Sequence, residues 1–263
     1  MGFTTHPITL TLVGGPTVAF HYAGLSFVTD PTFDPPGPNG NLTKLDGPAI
    51  PRESIGRADV ILLSHDEHED NLDVSGRAAL ADAGLVLTTP EGAKRVELAR
   101  GMARWESVTV PGADAVVPQD APVTITAVAA RHGSSAVKHL AGQVTGFVLE
   151  ADGWPTLYVS GDNASVDKAA QVAERFPDVS IAVLFAGGAK SPRIGDVLLT
   201  LDAERASQVA ALWPTATIVP VHIDDWAHFT QPREAFLEQF GFHGDAERLA
   251  VLERGVSHEV SGA

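Results

Sequence analysis

Four apolar runs in this chain stop on a His or an Asp. "DVILLSHD" (59–66) ends on His65 and Asp66, and "ITAVAARHG" (125–133) ends on His132. "TLYVSGDN" (156–163) ends on Asp162, and "ATIVPVHID" (216–224) ends on His222 and Asp224. Each run is short, continuous and rich in aliphatic residues, as strands buried on both faces are. In open sheets, ligands gather beyond the carboxyl ends of the strands. A fold that aligns these four ends gathers imidazoles and carboxylates at one point, and that requirement narrows the architectures open to the chain.

The rest of the sequence supplies the layers. "ITLTLV" (8–13), "TVAFHY" (17–22) and "LSFVTD" (25–30) read as an antiparallel meander with short Gly-containing turns. "PTFDPPGPNGNLTKLDGP" (31–48) reads as an irregular loop. Segment 59–63 is a strand, 74–83 a helix and 85–89 a strand, and "EGAKRVELARG" (91–101) reads as a helix closed by Gly101. Strands are expected at 122–130, 143–150, 156–160, 180–186 and 216–222. Helices are expected at 165–176 with Ser165 as cap, 202–213 with Asp202 as cap, and 231–241 with a Pro in its first turn. Two mixed β-sheets face to face, with helices on the outer faces, accommodate this order. The expectation is one domain over residues 1–263, since no linker interrupts the chain.

Composition excludes several classes. Acidic residues outnumber basic ones 33 to 18, giving a formal charge of −15, which repels phosphate backbones and argues against a nucleic-acid partner. There is no Cys, so neither a disulfide nor a thiolate ligand is available, in keeping with a cytoplasmic protein. The start lacks the pattern of a signal peptide, and no run of 18 apolar residues occurs, so no membrane association is expected.

The densest polar stretch is "SHDEHEDNLD" (64–73), directly after a strand. Taken singly, each of its residues has an ordinary explanation as a solvated turn or a helix cap. The same holds for His132, for Asp162 in the turn sequence "SGDN", and for His222 among apolar neighbours. Convergence raises them together. Imidazole and carboxylate suit zinc, manganese or iron, and without Cys any zinc site must be built from nitrogen and oxygen. A cation would also offset the crowding of acids in this turn. Asp30, Trp226 and His228 stand nearby as candidates for a supporting shell or a pocket wall.

At this point the set resembles the metallo-β-lactamase-fold hydrolases, in particular the branch similar to L-ascorbate-6-phosphate lactonase. The opening meander with its strand–Asp–Pro turn, "VILLSHDEHEDNLD", "RHG", "LYVSGDN" and "VPVHIDDWAHF" look like the family's segments in order, over nearly the whole chain. The resemblance implies an α/β (α+β) four-layer αββα sandwich with the site at one edge. It implies one or two divalent metal ions, Zn2+ or Mn2+, with Fe a further option. His68 matches the second His of the family's H-x-H-x-D-H motif. Asp70 matches its Asp, which contacts the second metal and orients the nucleophile. His132 matches the next His, Asp162 the bridging carboxylate, and His222 the last His. The first ligand falls on Asp66 in strict register, or on His65 if the strand end is aligned. Asn71 stands where the motif ends in His, and Asn163 where relatives often carry Thr. Asn is a weak neutral donor, so the second metal would keep Asp70, Asp162 and His222.

The resulting expectation is a metal-dependent hydrolase of a small-molecule ester, lactone, amide or phosphodiester, using a metal-activated water, with Asp70 as the catalytic residue. The alternative is a catalytically degraded relative that binds a ligand or partner without turnover. The oligomeric state is open, a homo-oligomer included.

Overall fold

The computed structural model describes residues 6–112 and 121–262. Its first strands are the expected meander, β1 (Ile8–Gly14), β2 (Thr17–Tyr22) and β3 (Leu25–Thr29). A small hairpin follows, β4 (Gly37–Asn39) and β5 (Leu42–Lys44), then a single helical turn α1 (Arg52–Ile55). Strand β6 (Val60–Leu62), helix α2 (Val74–Leu80), and strands β7 (Leu85–Thr88) and β8 (Ala99–Gly101) complete this half. The second half runs through β9 (Ser107–Val110), β10 (Val123–Val128), α3 (Lys138–Ala141), β11 (Gly146–Glu150) and β12 (Thr156–Val159). It continues with α4 (Val166–Arg175), β13 (Val179–Phe185), α5 (Ala203–Ala210), β14 (Thr217–Val221), α6 (Arg233–His243) and β15 (Ser257–Val260).

Two sheets carry the fold. The first has seven strands in the order β15-β1-β2-β3-β6-β7-β8, and the second has six in the order β14-β13-β12-β11-β10-β9. Both are mixed. β3, β6, β7 and β8 pair in parallel beyond an antiparallel meander, and β12, β13 and β14 do so beyond an antiparallel run. Side-chain alternation along each strand sorts the apolar residues into layers. Leu10, Phe20, Phe27 and Leu62 of the first sheet interleave with Ile125, Phe147, Val159, Val183 and Val219 of the second in one buried cluster. On the outer face of the second sheet, Tyr158, Ala182 and Ile218 meet Val172, Val209, Phe236 and Phe240 of the helices. On the outer face of the first, Val28, Ile61 and Val86 meet Leu80 of α2. The layers therefore run α, β, β, α, as expected.

Several local expectations need correction. Residues 91–101 do not form one helix. A 3-10 turn spans Gly92–Lys94, and the chain then extends into β8, where Val86 of β7 pairs with Ala99. Sheet extension overrides the helical composition of this segment. The stretch 31–48 contains the β4–β5 hairpin, which stands outside the two large sheets and is bridged to the chain after β14 through Lys44 and Trp226. Strands β9 and β15 lie outside every expected strand. Both are sheet edges with exposed Ser or Thr positions, so no apolar run marks them. The caps are as expected. Ser165 accepts from the Lys168 N–H and Asp202 from the Arg205 N–H.

Asp73 joins the hairpin, α2 and the loop after β6. Its Oδ1 accepts from the N–H groups of Gly76 (2.7 Å) and Phe33 (3.0 Å), and its Oδ2 from the Asp34 N–H (2.7 Å) and Lys44 Nζ (3.0 Å). Gly76, in the first turn of α2, lies directly under the Pro31 carbonyl, and a Cβ there would collide with that oxygen. Gly76→Ala is therefore expected to cost about 1–3 kcal/mol, as overpacking against rigid backbone does. Chemical denaturation of the two proteins checks it; equal midpoints would show that α2 shifts freely.

Candidate metal centre

The strand ends deliver their side chains to one edge of the sandwich. Beyond β6, the Leu63 N–H still donates to the Leu87 carbonyl (2.9 Å), which fixes the direction in which the chain leaves the sheet. Ser64 then holds Asp30, at the end of β3. Its N–H donates to Oδ1 (2.5 Å) and its hydroxyl to Oδ2 (2.7 Å). Asn163 ties the exits of β10 and β12 together, accepting from the N–H groups of Arg131 (3.1 Å) and Ser165 (3.0 Å). His222 follows β14 directly, at φ 58°, and its N–H donates to the Gly15 carbonyl (2.8 Å). Asp30 (φ 24°) and Asp225 (φ 79°) are also left-handed. Non-Gly residues held there carry strain that clusters at functional sites.

Three imidazoles meet. His65 Nε2 lies 2.9 Å from His68 Nδ1, and His132 Nε2 lies 3.2 Å from the same nitrogen. Together with a carboxylate oxygen of Asp162, the ligand atoms of His65, His68 and His132 all fall within 4.8 Å of one another. The outer hydrogen bonds set the tautomers. His132 Nδ1 faces the Leu199 carbonyl (2.7 Å), so it donates and leaves a lone pair on Nε2. Ser64 Oγ gives its proton to Asp30 and so accepts from His65 Nδ1 (3.0 Å), which leaves a lone pair on His65 Nε2. At most one proton, on His68 Nδ1, can serve these two lone pairs. A cation satisfies all three nitrogens. Four ligands bonded tetrahedrally at about 2.0–2.1 Å stand roughly 3.3 Å apart, close to the spacing found. The residues present fit a divalent metal.

Charge agrees with this. Burial, aided by the neighbouring His68, holds His65 well below its usual pKa. Burial also lowers His132, with Asp162 opposing, so both rings favour the neutral, ligating form. The far side of the cluster is acidic. His222 Nδ1 lies 3.0 Å from Asp162 Oδ1, and its Nε2 lies 3.3 Å from Asp70 Oδ2. Burial pulls His222 down, but these two carboxylates outweigh it and push it up to about 10. Burial raises Asp70, but hydrogen bonds from His222 and His228 hold it well below the carboxylate range. Asp162 is lowered in the same way, chiefly through His222. Asp30 moves the other way. Burial outweighs its bonds to Ser64, Asp162 adds repulsion, and its pKa reaches about 7.

The remaining candidates divide. Asp66 is buried but faces away from the cluster. Its carboxylate accepts from Arg95 Nε (2.9 Å) and Nη2 (2.6 Å), and its carbonyl accepts from Arg77 Nη2 (2.6 Å). Asn71 Nδ2 donates to Asp30 Oδ2 and to Asp162 Oδ1, each at 3.1 Å. Trp226 is buried beneath the site, with Lys44 Nζ 5.4 Å from its ring centroid, and does not line the cavity. His228 Nε2 lies 3.0 Å from Asp70 Oδ2.

A cavity of about 410 Å3 opens over the cluster, with His68, Asp70, His132, Asp162 and His228 in its lining. Of the residues expected as a pocket wall, His228 lines it and Trp226 does not, and the irregular stretch 31–48 contributes Asn41 and Leu42. Most of the apolar wall comes from Leu140 of α3 and from Ile194 and Leu199 of the β13–α5 connection. The signal available was length. Seventeen residues, 186–202, separate β13 from α5, and long connections in such domains are usually functional.

An αββα sandwich with imidazoles and carboxylates gathered at one edge defines a β-lactamase-like metal-site architecture. The chain belongs to the family of the Beta-lactamase superfamily domain, whose model matches residues 26–223. A UPF0173 metal-dependent hydrolase of Pyrococcus abyssi is 24% identical over 208 residues, covering 79% of this chain and 84% of the relative. Isothiocyanate hydrolase from Delia radicum gut bacteria superimposes with a TM-score of 0.77 at 23% identity, over 97% of this chain and 100% of that one. A possible metal-dependent hydrolase from Veillonella parvula gives 0.78 at 17% identity, over 98% and 100%.

Proposed function

We propose that this protein is a metal-dependent hydrolase of a small molecule, in which His65, His68, His132 and Asp162 hold a divalent cation, zinc or manganese. The observation that carries the reading is the meeting of three imidazole nitrogens and one carboxylate beneath an open cavity. A bound divalent cation supplies Lewis acidity and a water acidic enough to ionise near neutral pH. The protein does the rest. Asp70 faces the cavity beside the cluster, and in this reading its carboxylate, held ionised by His222 and His228, orients the attacking water. Ser64 and the Leu199 carbonyl hold His65 and His132 in their ligating tautomers. Leu42, Leu140, Ile194 and Leu199 offer an apolar wall, which suits an ester, lactone or amide with an apolar part.

Metal analysis combined with a substrate panel tests this. Protein stripped with a chelator is expected to bind zinc or manganese on re-addition. It should then hydrolyse at least one of a set of aryl esters, lactones and amides. An aryl isothiocyanate belongs in the set, because one fold neighbour acts on that class. Protein that takes up neither metal would sink the reading and favour a binding role without turnover.

A further inference from the structure

A second cavity, of about 600 Å3, opens at the seam between the two sheets. Helix α3 faces both cavities. Lys138 and His139 line this one, and Leu140 and Ala141 the one over the metal cluster. The floor of the seam cavity is apolar, with Met102, Val128 and Val144 buried. Arg104, Arg131, Lys138 and His139 stand around it, and no Asp or Glu among the described residues lines it. We infer that this cavity binds a small organic dianion with an apolar body, a phosphate monoester or an aromatic dicarboxylate, independently of the metal.

Charge is the main ground. Acidic residues outnumber basic ones 33 to 18, so a cavity lined by cations alone runs against the whole chain. Arg104, Arg131 and Lys138 enter none of the ion pairs among the described residues. Glu67, which packs against Gly142, turns instead to Arg95 (3.3 Å) and lines the other cavity. A cleft lined by one sign of charge concentrates ions of the other. The overall charge of −15 still repels a polyanion, so the fitting ligand is a small molecule.

The backbone beneath these cations is fixed. The Arg131 N–H donates to Asn163 Oδ1 (3.1 Å), and its carbonyl accepts from the Ala164 N–H (2.8 Å). Its Nε donates to the Gly133 carbonyl (3.3 Å), and both Nη groups are left without a partner among the described residues. Arg104 sits where the chain crosses from one sheet to the other. Before it the Met102 N–H holds the Thr88 carbonyl (2.8 Å), and after it the Trp105 N–H holds the Ala127 carbonyl (2.7 Å). Lys138 opens α3, with its N–H on the Ser134 carbonyl (3.1 Å). Planar guanidinium forks suit phosphate and carboxylate oxygens, and the apolar floor favours a ligand with a hydrocarbon body over a bare ion. His132 and Gly142 line both cavities, so an occupant here touches the segment that also shapes the metal centre.

Isothermal titration of the zinc-loaded chain tests this. The probes are isophthalate, phenylphosphonate as a hydrolysis-proof stand-in for a phosphate monoester, and benzyl alcohol as the neutral counterpart. At least one dianion is expected to bind, the tighter one naming the head group, and benzyl alcohol is expected not to bind. Binding should survive removal of the metal by a chelator and weaken as salt is raised. Arg104→Gln and Lys138→Gln, both exposed and outside the catalytic cavity, should each weaken it about 10-fold, as the loss of one charge-assisted hydrogen bond does. Lys168→Gln, on α4, removes the same charge elsewhere and should leave it unchanged. Failure of both dianions to bind at millimolar concentration would overturn the site. So would binding that is lost with the metal and indifferent to Arg104→Gln and Lys138→Gln, which assigns the anion to the metal, or binding weakened equally by Lys168→Gln, which assigns it to net charge. Each of these results leaves the hydrolase reading standing, because metal uptake and turnover test that reading separately.

Discussion

His65→Ala is expected to weaken metal binding by about 100-fold or more and to abolish hydrolysis, while Asp66→Asn keeps both within about 100-fold of wild type. The two residues are neighbours in sequence, and the backbone gives them opposite tasks. The His65 ring is fully buried, with Nδ1 on Ser64 and Nε2 against His68. In the proposed metal site, removing it takes away one of four donor atoms and leaves the other two nitrogens facing an incomplete shell. Asp66 spends its carboxylate on Arg95 and its carbonyl on Arg77. It steers the turn that aims His65 and His68, so its loss loosens the site without removing a donor. Competition titration against a chromophoric chelator separates the two. Retention of metal by His65→Ala together with its loss in Asp66→Asn would reverse the assignment.

Asp73→Ala is expected to destabilise the fold by about 3–5 kcal/mol, the largest effect on stability foreseen for a residue near the site. The Lys44 side chain is 2% exposed and that of Asp73 is fully buried, so losing the carboxylate strands an ammonium away from water. Three backbone N–H groups, of Phe33, Asp34 and Gly76, lose their acceptor as well. Lys44→Met is the instructive contrast. It removes the cation, yet those three N–H groups still hold the charge of Asp73, and the thioether chain fills the space under Trp226. Its cost should be well below that of Asp73→Ala. Guanidinium denaturation of both variants is the measurement; equal losses would mean that the ion pair alone, and not the backbone acceptor role, sets the value.

The layers were legible in the sequence because buried strands and amphipathic helices leave periodic traces. Leu157, Val159, Ile181 and Val183 stand in unbroken apolar runs, and Ser165 and Asp202 mark helix starts by local chemistry. The convergence of His65, His132, Asp162 and His222 was legible for the same reason, since each follows a strand. What was not legible depends on distant partners. Choosing between His65 and Asp66 needs Arg95, 29 residues away, whose segment itself read as helix. The position of His228 against Asp70 needs left-handed turns at His222 and Asp225, where no Gly announces them. The edge strands β9 and β15 are only four residues each and alternate with exposed polar positions, so neither shows the continuous apolar run that marked the central strands.

The pairing of β1 with β15 has a consequence for how the chain reaches its native state. Thr11 and Ser257 touch through their hydroxyls at 2.9 Å across a separation of 246 residues. Contacts that close so long a stretch of chain form slowly, because their entropy must be lost before they return anything. Until Ser257–Val260 arrives, β1 presents an open row of N–H and C=O groups, with Ile8 and Leu10 beside it. Such an edge is a template for the wrong partner. Refolding at high concentration therefore sets this late intramolecular closure against strand exchange between molecules, and dilution favours the former.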